Sequence, residues 1–155
     1  MTQPLHPGDP ERWIGSGTEH SHQVALFAAL KQYEDVCPAL KWAHAIPNGG
    51  SRGDQQSAKI VGGQLKAEGV KKGVCDIHWP YPQWGFHGLM IEMKRPGQLK
   101  ATSPEQDEYI EYLRSQGYWV DVCDNWAKAF VLFANYGKFV IEPSRGWMPP
   151  AHYLR

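Results

Sequence analysis

Two acids and a lysine, Asp76, Glu92 and Lys94, are the side chains of this sequence best suited by type and spacing to do chemistry. They fall within residues 73–94, GVCDIHWPYPQWGFHGLMIEMK, which read as two β-strands joined by a turn rich in proline and aromatic residues. Asp76 belongs to the first strand, Glu92 and Lys94 to the second. Successive side chains of a strand alternate faces, so Met90, Glu92 and Lys94 share one face while Leu89, Ile91 and Met93 share the other. A carboxylate and an ammonium therefore leave a strand whose opposite face is apolar. If the strands pair, Asp76 can be carried near Glu92. Two converging carboxylates beside a lysine are what a hard divalent cation and a polarised water require.

The elements that must position these groups are legible on either side. Residues 1–17 hold three prolines and three glycines and read as a loose arm. Thr18 is a candidate N-cap, and Glu19 stands in the first turn, where the helix dipole favours an acid. Val24, Phe27 and Leu30 follow at helical spacing, which predicts a helix over 19–34. Residues 40–46 read as a short strand closed by the turn signal Pro47-Asn48-Gly49-Gly50. Ala58, Val61 and Leu65 suggest a helix over 54–67, although Gly62-Gly63 inside it costs roughly 2 kcal/mol relative to alanines. After the hairpin, Ser103-Pro104-Glu105-Gln106 opens a helix. Serine caps, proline fits the first helical position, and Gln106 can reach back in a capping box. Tyr109, Ile110 and Leu113 give this helix its buried stripe, and Gly117 ends it. A strand over 118–122 follows, then a helix capped by Asp124 or Asn125, carrying Trp126, Phe130 and Phe133 and ended by Gly137. The order is α-β-α-β-β-α-β-α, an α/β fold with a mixed central sheet flanked by helices. The tail, 138–155, has no placement from its sequence.

At 155 residues the chain is long enough for one domain with a real core. Its 16 basic and 16 acidic side chains cancel, which removes any whole-protein argument for a polyanionic partner. Locally the balance differs. Arg52, Lys59, Lys66, Lys71, Lys72, Lys94, Arg95 and Lys100 outnumber Asp54, Glu68, Asp76 and Glu92 between residues 52 and 100, which permits phosphate binding. Cys37, Cys75 and Cys123 are odd in number and widely spaced. That speaks against a disulfide framework and a structural zinc site. His44, His78 and His87 also lack ligand spacing. No run is apolar enough to span a membrane, and the first residues lack a signal-peptide core, so a cytoplasmic location is expected, in a bacterial or phage-infected cell.

Asp76 followed by Glu92-x-Lys94 across a hairpin resembles the PD-(D/E)XK nuclease motif. The wider context, GVKKGVCDIHW, GLMIEMKRPG and SPEQDEYIEYLRSQGYWVDVCDNWAKA, resembles the VRR-Nuc branch, especially small stand-alone versions from phages and bacteria. HAIPNGGSRG is similar to a segment that often precedes the motif. The likeness covers residues 18–137, between the arm and the tail, and implies a restriction-endonuclease-like core. Cys75 departs from it, standing where the family usually has proline. Proline there contributes backbone geometry and no ligand, so activity should survive.

The resemblance implies roles residue by residue. Asp76 and Glu92 would ligate Mg²⁺ or Mn²⁺ with the main-chain carbonyl of Met93, and Glu19 would be a further metal-site acid. Lys94 would position the attacking water or stabilise charge on the phosphate, and Gln106 would face the site from the following helix. Asn48 and Arg52 either contact DNA or build their turn. Lys71 and Lys72 either touch phosphates or form a charged loop. Trp79, Tyr81 and Trp84 either pack around the hairpin, stack on bases or line a partner surface. The implied activity is a divalent-metal-dependent DNA endonuclease leaving 5′-phosphate and 3′-hydroxyl ends. By the same likeness it is structure-selective, in the manner of a Holliday-junction resolvase, and homodimeric. The alternatives are a nuclease for flaps, nicks, single strands or linear duplex, a non-catalytic nucleic-acid-binding module, and a protein-interaction domain that uses the aromatic turn.

Overall fold

The computed structural model describes residues 17–47, 62–146 and 148–154. Helix α1 (Glu19–Lys31) is followed by a 3₁₀ turn (Pro38–Trp42) and strand β1 (His44–Ala45). Residues 62–67 are helical (α2). Then come β2 (Ile77–Trp79), β3 (Leu89–Met93), α3 (Pro104–Ser115), β4 (Trp119–Cys123) and α4 (Trp126–Gly137). The strands form one sheet in the order β1-β2-β3-β4. β1 and β2, and β2 and β3, pair antiparallel, whereas β3 and β4 pair parallel. The sheet is therefore mixed, and α3 makes the crossover that a parallel pair requires.

β3 lies between two strands, is buried along its whole length, and sorts its side chains by alternation. Leu89, Ile91 and Met93 join Ile77, Trp79, Leu26, Leu30, Phe130 and Phe133 in the larger core, under α1 and α4. Met90 faces the other way and packs with Cys75, Val120, Ile110 and Leu113 under α3. The hairpin aromatics divide: Trp79 is fully buried, stacks on Phe133 and donates its indole N–H to the Ala39 carbonyl, whereas Trp84 remains largely exposed.

Several expectations need adjustment. The strand expected over 40–46 is only His44–Ala45, because Pro38 opens a 3₁₀ turn that consumes the preceding residues. α1 stops at Lys31, three residues short of the expected end. The expected helix over 54–67 is seen only at 62–67, its remainder lying outside the described residues. Gly137 does not follow α4 but is its last residue. A Cβ there would sit 2.5 Å from the Trp79 ring, so glycine is needed for packing, and Lys138 takes the left-handed turn instead. The tail folds back on the domain. The Glu142 amide donates to the Tyr33 hydroxyl at 3.0 Å, Arg145 pairs with Asp35, and Tyr153 meets the N-cap Asn125.

Candidate active site

The register sets the geometry. Ile77 pairs with Ile91 in the antiparallel ladder, so one step outward Asp76, the residue just before β2, stands across from Glu92. Side chains directly opposite in an antiparallel pair share a face. Asp76 is anchored there, its Oδ2 accepting the Met93 amide at 2.7 Å. The Asp76 carbonyl also accepts the Ile46 amide, which ties the acid to the chain leaving β1.

Glu92 is 2 % exposed and Lys94 is 7 % exposed. The Lys94 ammonium donates to Glu92 Oε1 and to Gln106 Oε1, each at 2.9 Å. Gln106 closes the triangle by donating its side-chain amide to Glu92 Oε1. The same glutamine completes the capping box of α3: Oε1 accepts the Ser103 amide, and the Gln106 amide donates to the Ser103 hydroxyl. Cap and site contact are thus one arrangement. Thr18 caps α1 as expected, with Ser21 as reciprocal partner.

One atom has no partner. Glu92 Oε2 is buried and accepts no hydrogen bond. A carboxylate oxygen in that condition is costly, and the protonation behaviour reflects it. Burial first, and the Asp76 charge second, push Glu92 up to about 7, against the hydrogen bond and charge of Lys94; Glu19 adds a final upward contribution. Glu19, exposed at the start of α1, thus acts on the site through its field. The donor set fits a hard cation: an orphaned buried oxygen on Glu92, with the Asp76 carboxylate opposite. Among the described residues no three His, Cys, Asp or Glu side chains gather as a metal cluster. An ion here would be completed by main-chain oxygen, water and substrate.

The other expected residues fall as follows. Met93 contributes its amide to Asp76. Lys71 and Lys72 are exposed in the turn before Cys75. The Glu105 carboxyl at the start of α3 is held below its ordinary value by a backbone amide, then the Ser103 hydroxyl, with Lys72 helping, which puts Lys72 near the helix end carrying Gln106. Asn48 and Arg52 lie outside the described residues. Cys75 is fully buried, and burial followed by the charges of Glu92 and Asp76 pushes its thiol up to about 12. His44 and His78 meet edge to face, and His78 and His87 both contact Tyr118. Sequence reasoning did not anticipate the role of His22: this buried residue of α1 accepts the Trp126 amide at the start of α4. An isolated histidine on an apolar stripe carries no pattern that would signal it.

A family model, the VRR-NUC domain, matches residues 17–126. A solved structure described as a VRR_NUC domain protein superposes with a TM-score of 0.63 at 25 % sequence identity, covering 79 % of this chain and 89 % of that one. No curated protein matches.

Proposed function

Because this chain belongs to the VRR-NUC domain family, with the nuclease-type fold that membership brings, we propose that it is a divalent-metal-dependent DNA endonuclease. The observation that carries this reading is the unpartnered, buried Oε2 of Glu92, on the sheet face it shares with Asp76. Asp76 and Glu92, with the Met93 carbonyl and a contribution from Glu19, would hold Mg²⁺ or Mn²⁺. When bound, the ion supplies neutralisation of the phosphate's nonbridging oxygens and lowers the proton affinity of a ligated water.

The protein's own groups do the rest. Asp76 is held in place by the Met93 amide, so one oxygen is fixed before any ligand arrives. Lys94 has three donors, of which two are spent on Glu92 and Gln106. The third is left to hold a water or to meet negative charge growing on the phosphate. Gln106 orients both partners and keeps the ammonium from swinging away. Held in place by these hydrogen bonds, with Glu92 and Lys94 buried, the groups need little reorganisation during the reaction. Asn48, Arg52, Lys71 and Lys72 are proposed as phosphate contacts.

Branched DNA is the proposed preferred substrate and a homodimer the proposed acting form, because symmetric cutting of a junction needs two copies of a one-site chain. The membrane plays no part in this reading; among the described residues no helix is long and apolar enough to cross one. The test compares wild type with Asp76→Ala on labelled junction, flap, nicked, single-stranded and linear DNA in Mg²⁺. Cleavage by wild type alone, strongest on the junction, is expected. Equal DNA affinity with no cleavage by either protein would make the chain a binding module.

A further inference from the structure

Gly73 has a left-handed backbone (φ +78°), and its Cα lies against the first turn of α3. A Cβ built there would be 2.6 Å from the Glu105 carbonyl carbon and oxygen, and 2.9 Å from the Gln106 nitrogen. Those are main-chain atoms of the turn that carries Gln106, so no flexible side-chain end could move aside to make room. That turn is internally rigid, because the Ser103–Gln106 capping box locks it from both directions. Whatever displaces it must also displace the Gln106 amide from Glu92 and Lys94. Gly69 and Gly97 also have positive φ, yet a Cβ on either meets nothing within 4 Å. Positive φ is therefore common to these turns, and close approach to α3 separates Gly73 from those two.

We infer that Gly73 is a positioning residue: its missing side chain lets the turn before Asp76 seat on the start of α3 and so holds Gln106 across Glu92 and Lys94. The inference rests on the proposed metal-binding role of Asp76 and Glu92. It goes further in assigning a functional consequence to a residue that touches none of the reacting groups. The same seating brings Lys72 beside the helix end that faces the site.

The test uses Gly73→Ala, with Gly69→Ala as the control for positive φ alone. Mn²⁺ affinity is read by calorimetry, cleavage by gel assay, and the Gln106 side-chain amide by NMR. Gly73→Ala is expected to weaken Mn²⁺ binding and slow cleavage roughly tenfold, as loss of an outer support does. It should also move the Gln106 amide resonances toward those of an exposed glutamine, while Gly69→Ala does none of this. In a Gln106→Ala background, Gly73→Ala should add less than about twofold, because both act through one group. If Gly73→Ala melts too low to assay, Gly73→Asn replaces it, since asparagine tolerates the left-handed backbone but carries the same Cβ. An unmoved Gln106 resonance, a Mn²⁺ affinity equal to that of Gly69→Ala, or full additivity with Gln106→Ala overturns the inference. Absence of Mn²⁺ binding by wild type overturns the metal reading instead, and the Gln106 resonance then decides for or against Gly73.

Discussion

Two buried acids sit near the same end of this sheet, and they have opposite surroundings. Asp124, just after β4, has both oxygens taken: Oδ1 by Lys128 at 2.7 Å and by Asn125, Oδ2 by the Gly97 amide at 3.0 Å. Burial alone would raise its carboxyl, but Lys128 and the Gly97 amide outweigh it and hold the group below its ordinary value. Glu92, on β3, has one oxygen crowded by Lys94 and Gln106 and the other without a partner, and it is raised to about 7. The difference is between an acid whose two oxygens are both hydrogen-bonded and one with an oxygen left unpartnered. Asp124 ties the loop after β3 to α4. Glu92 keeps one buried oxygen open, the place where the proposed metal would bind.

The sharpest way to break this comparison is to replace each acid. Glu92→Gln should lower cleavage on the order of 10³-fold, because the groups at the reacting centre lose a charge. Melting of the metal-free protein at pH 8 should stay the same or rise, because a buried charge has been removed. A Glu92→Gln variant that cleaves normally would remove Glu92 from the site.

The second effect is on stability against pH. The folded-state value of Glu92, about 7, lies above its ordinary 4.5, so the folded state holds the proton more tightly than the unfolded chain. Its contribution is therefore complete below about pH 4.5 and is lost as the pH rises through 7. With about 1.4 kcal/mol per tenfold change in proton affinity, the ceiling is about 3 kcal/mol. Denaturant melts without metal should show this decline between pH 5 and 8, Glu92→Gln should abolish it, and Mn²⁺ should protect more at pH 8 than at pH 5. Asp124 has the opposite sign: its contribution is present above its ordinary value and is lost only as the pH falls through its lower, folded-state value. A flat profile for wild type from pH 5 to 8 would contradict the raised Glu92.

Next in size, Asp124→Ala should cost about 2 kcal/mol by orphaning the Gly97 amide and freeing Lys128. Below the melting temperature, cleavage and the Mn²⁺ response should stay near wild type. Loss of Mn²⁺ binding in a folded Asp124→Ala protein would erase the distinction between the two acids.

The comparison also separates what could be read from the sequence from what could not. Local rules carried far. Thr18, Ser103 with Gln106, and Gly117 act at helix ends because capping depends on neighbours three or four positions away. Alternation in β3 put Glu92 and Lys94 on one face because strand period is fixed by the backbone. What escaped depends on distant partners. The Gly97–Asp124 bond, the His22–Trp126 bond and the docking of Glu142 on Tyr33 join residues 27, 104 and 109 positions apart. No periodicity encodes such pairs. Gly137 read as a helix end because glycine commonly is one, and only the Trp79 ring against it shows otherwise. The Asp76, Glu92 and Lys94 constellation was recoverable because strand pairing converts a short hairpin into an opposition of two acids. The unmet valence of Glu92 was not, since it depends on how Gln106 and Lys94 share a single oxygen.

The smallest expected effect tests whether burial at this end of the sheet is enough to make a group special. Cys75 precedes Asp76, is fully buried with Met90 and Ile110, and its thiol is pushed up to about 12 by burial and by Glu92 and Asp76. It has the surroundings of Glu92 without the unmet valence, because a thiol is a small apolar side chain that asks little of its neighbours. Cys75→Ala should therefore cost only about 1 kcal/mol for the volume lost and leave the cleavage rate within about twofold of wild type. Cys37 and Cys123 are likewise buried and raised, so a thiol reagent at pH 8 should label the folded protein at none of its three cysteines and the urea-unfolded protein at all three. Rapid labelling of native Cys75, or a large activity loss in Cys75→Ala at unchanged stability, would mean that position near the acids confers reactivity by itself. The contrast between Glu92 and Asp124 would then need a different physical basis.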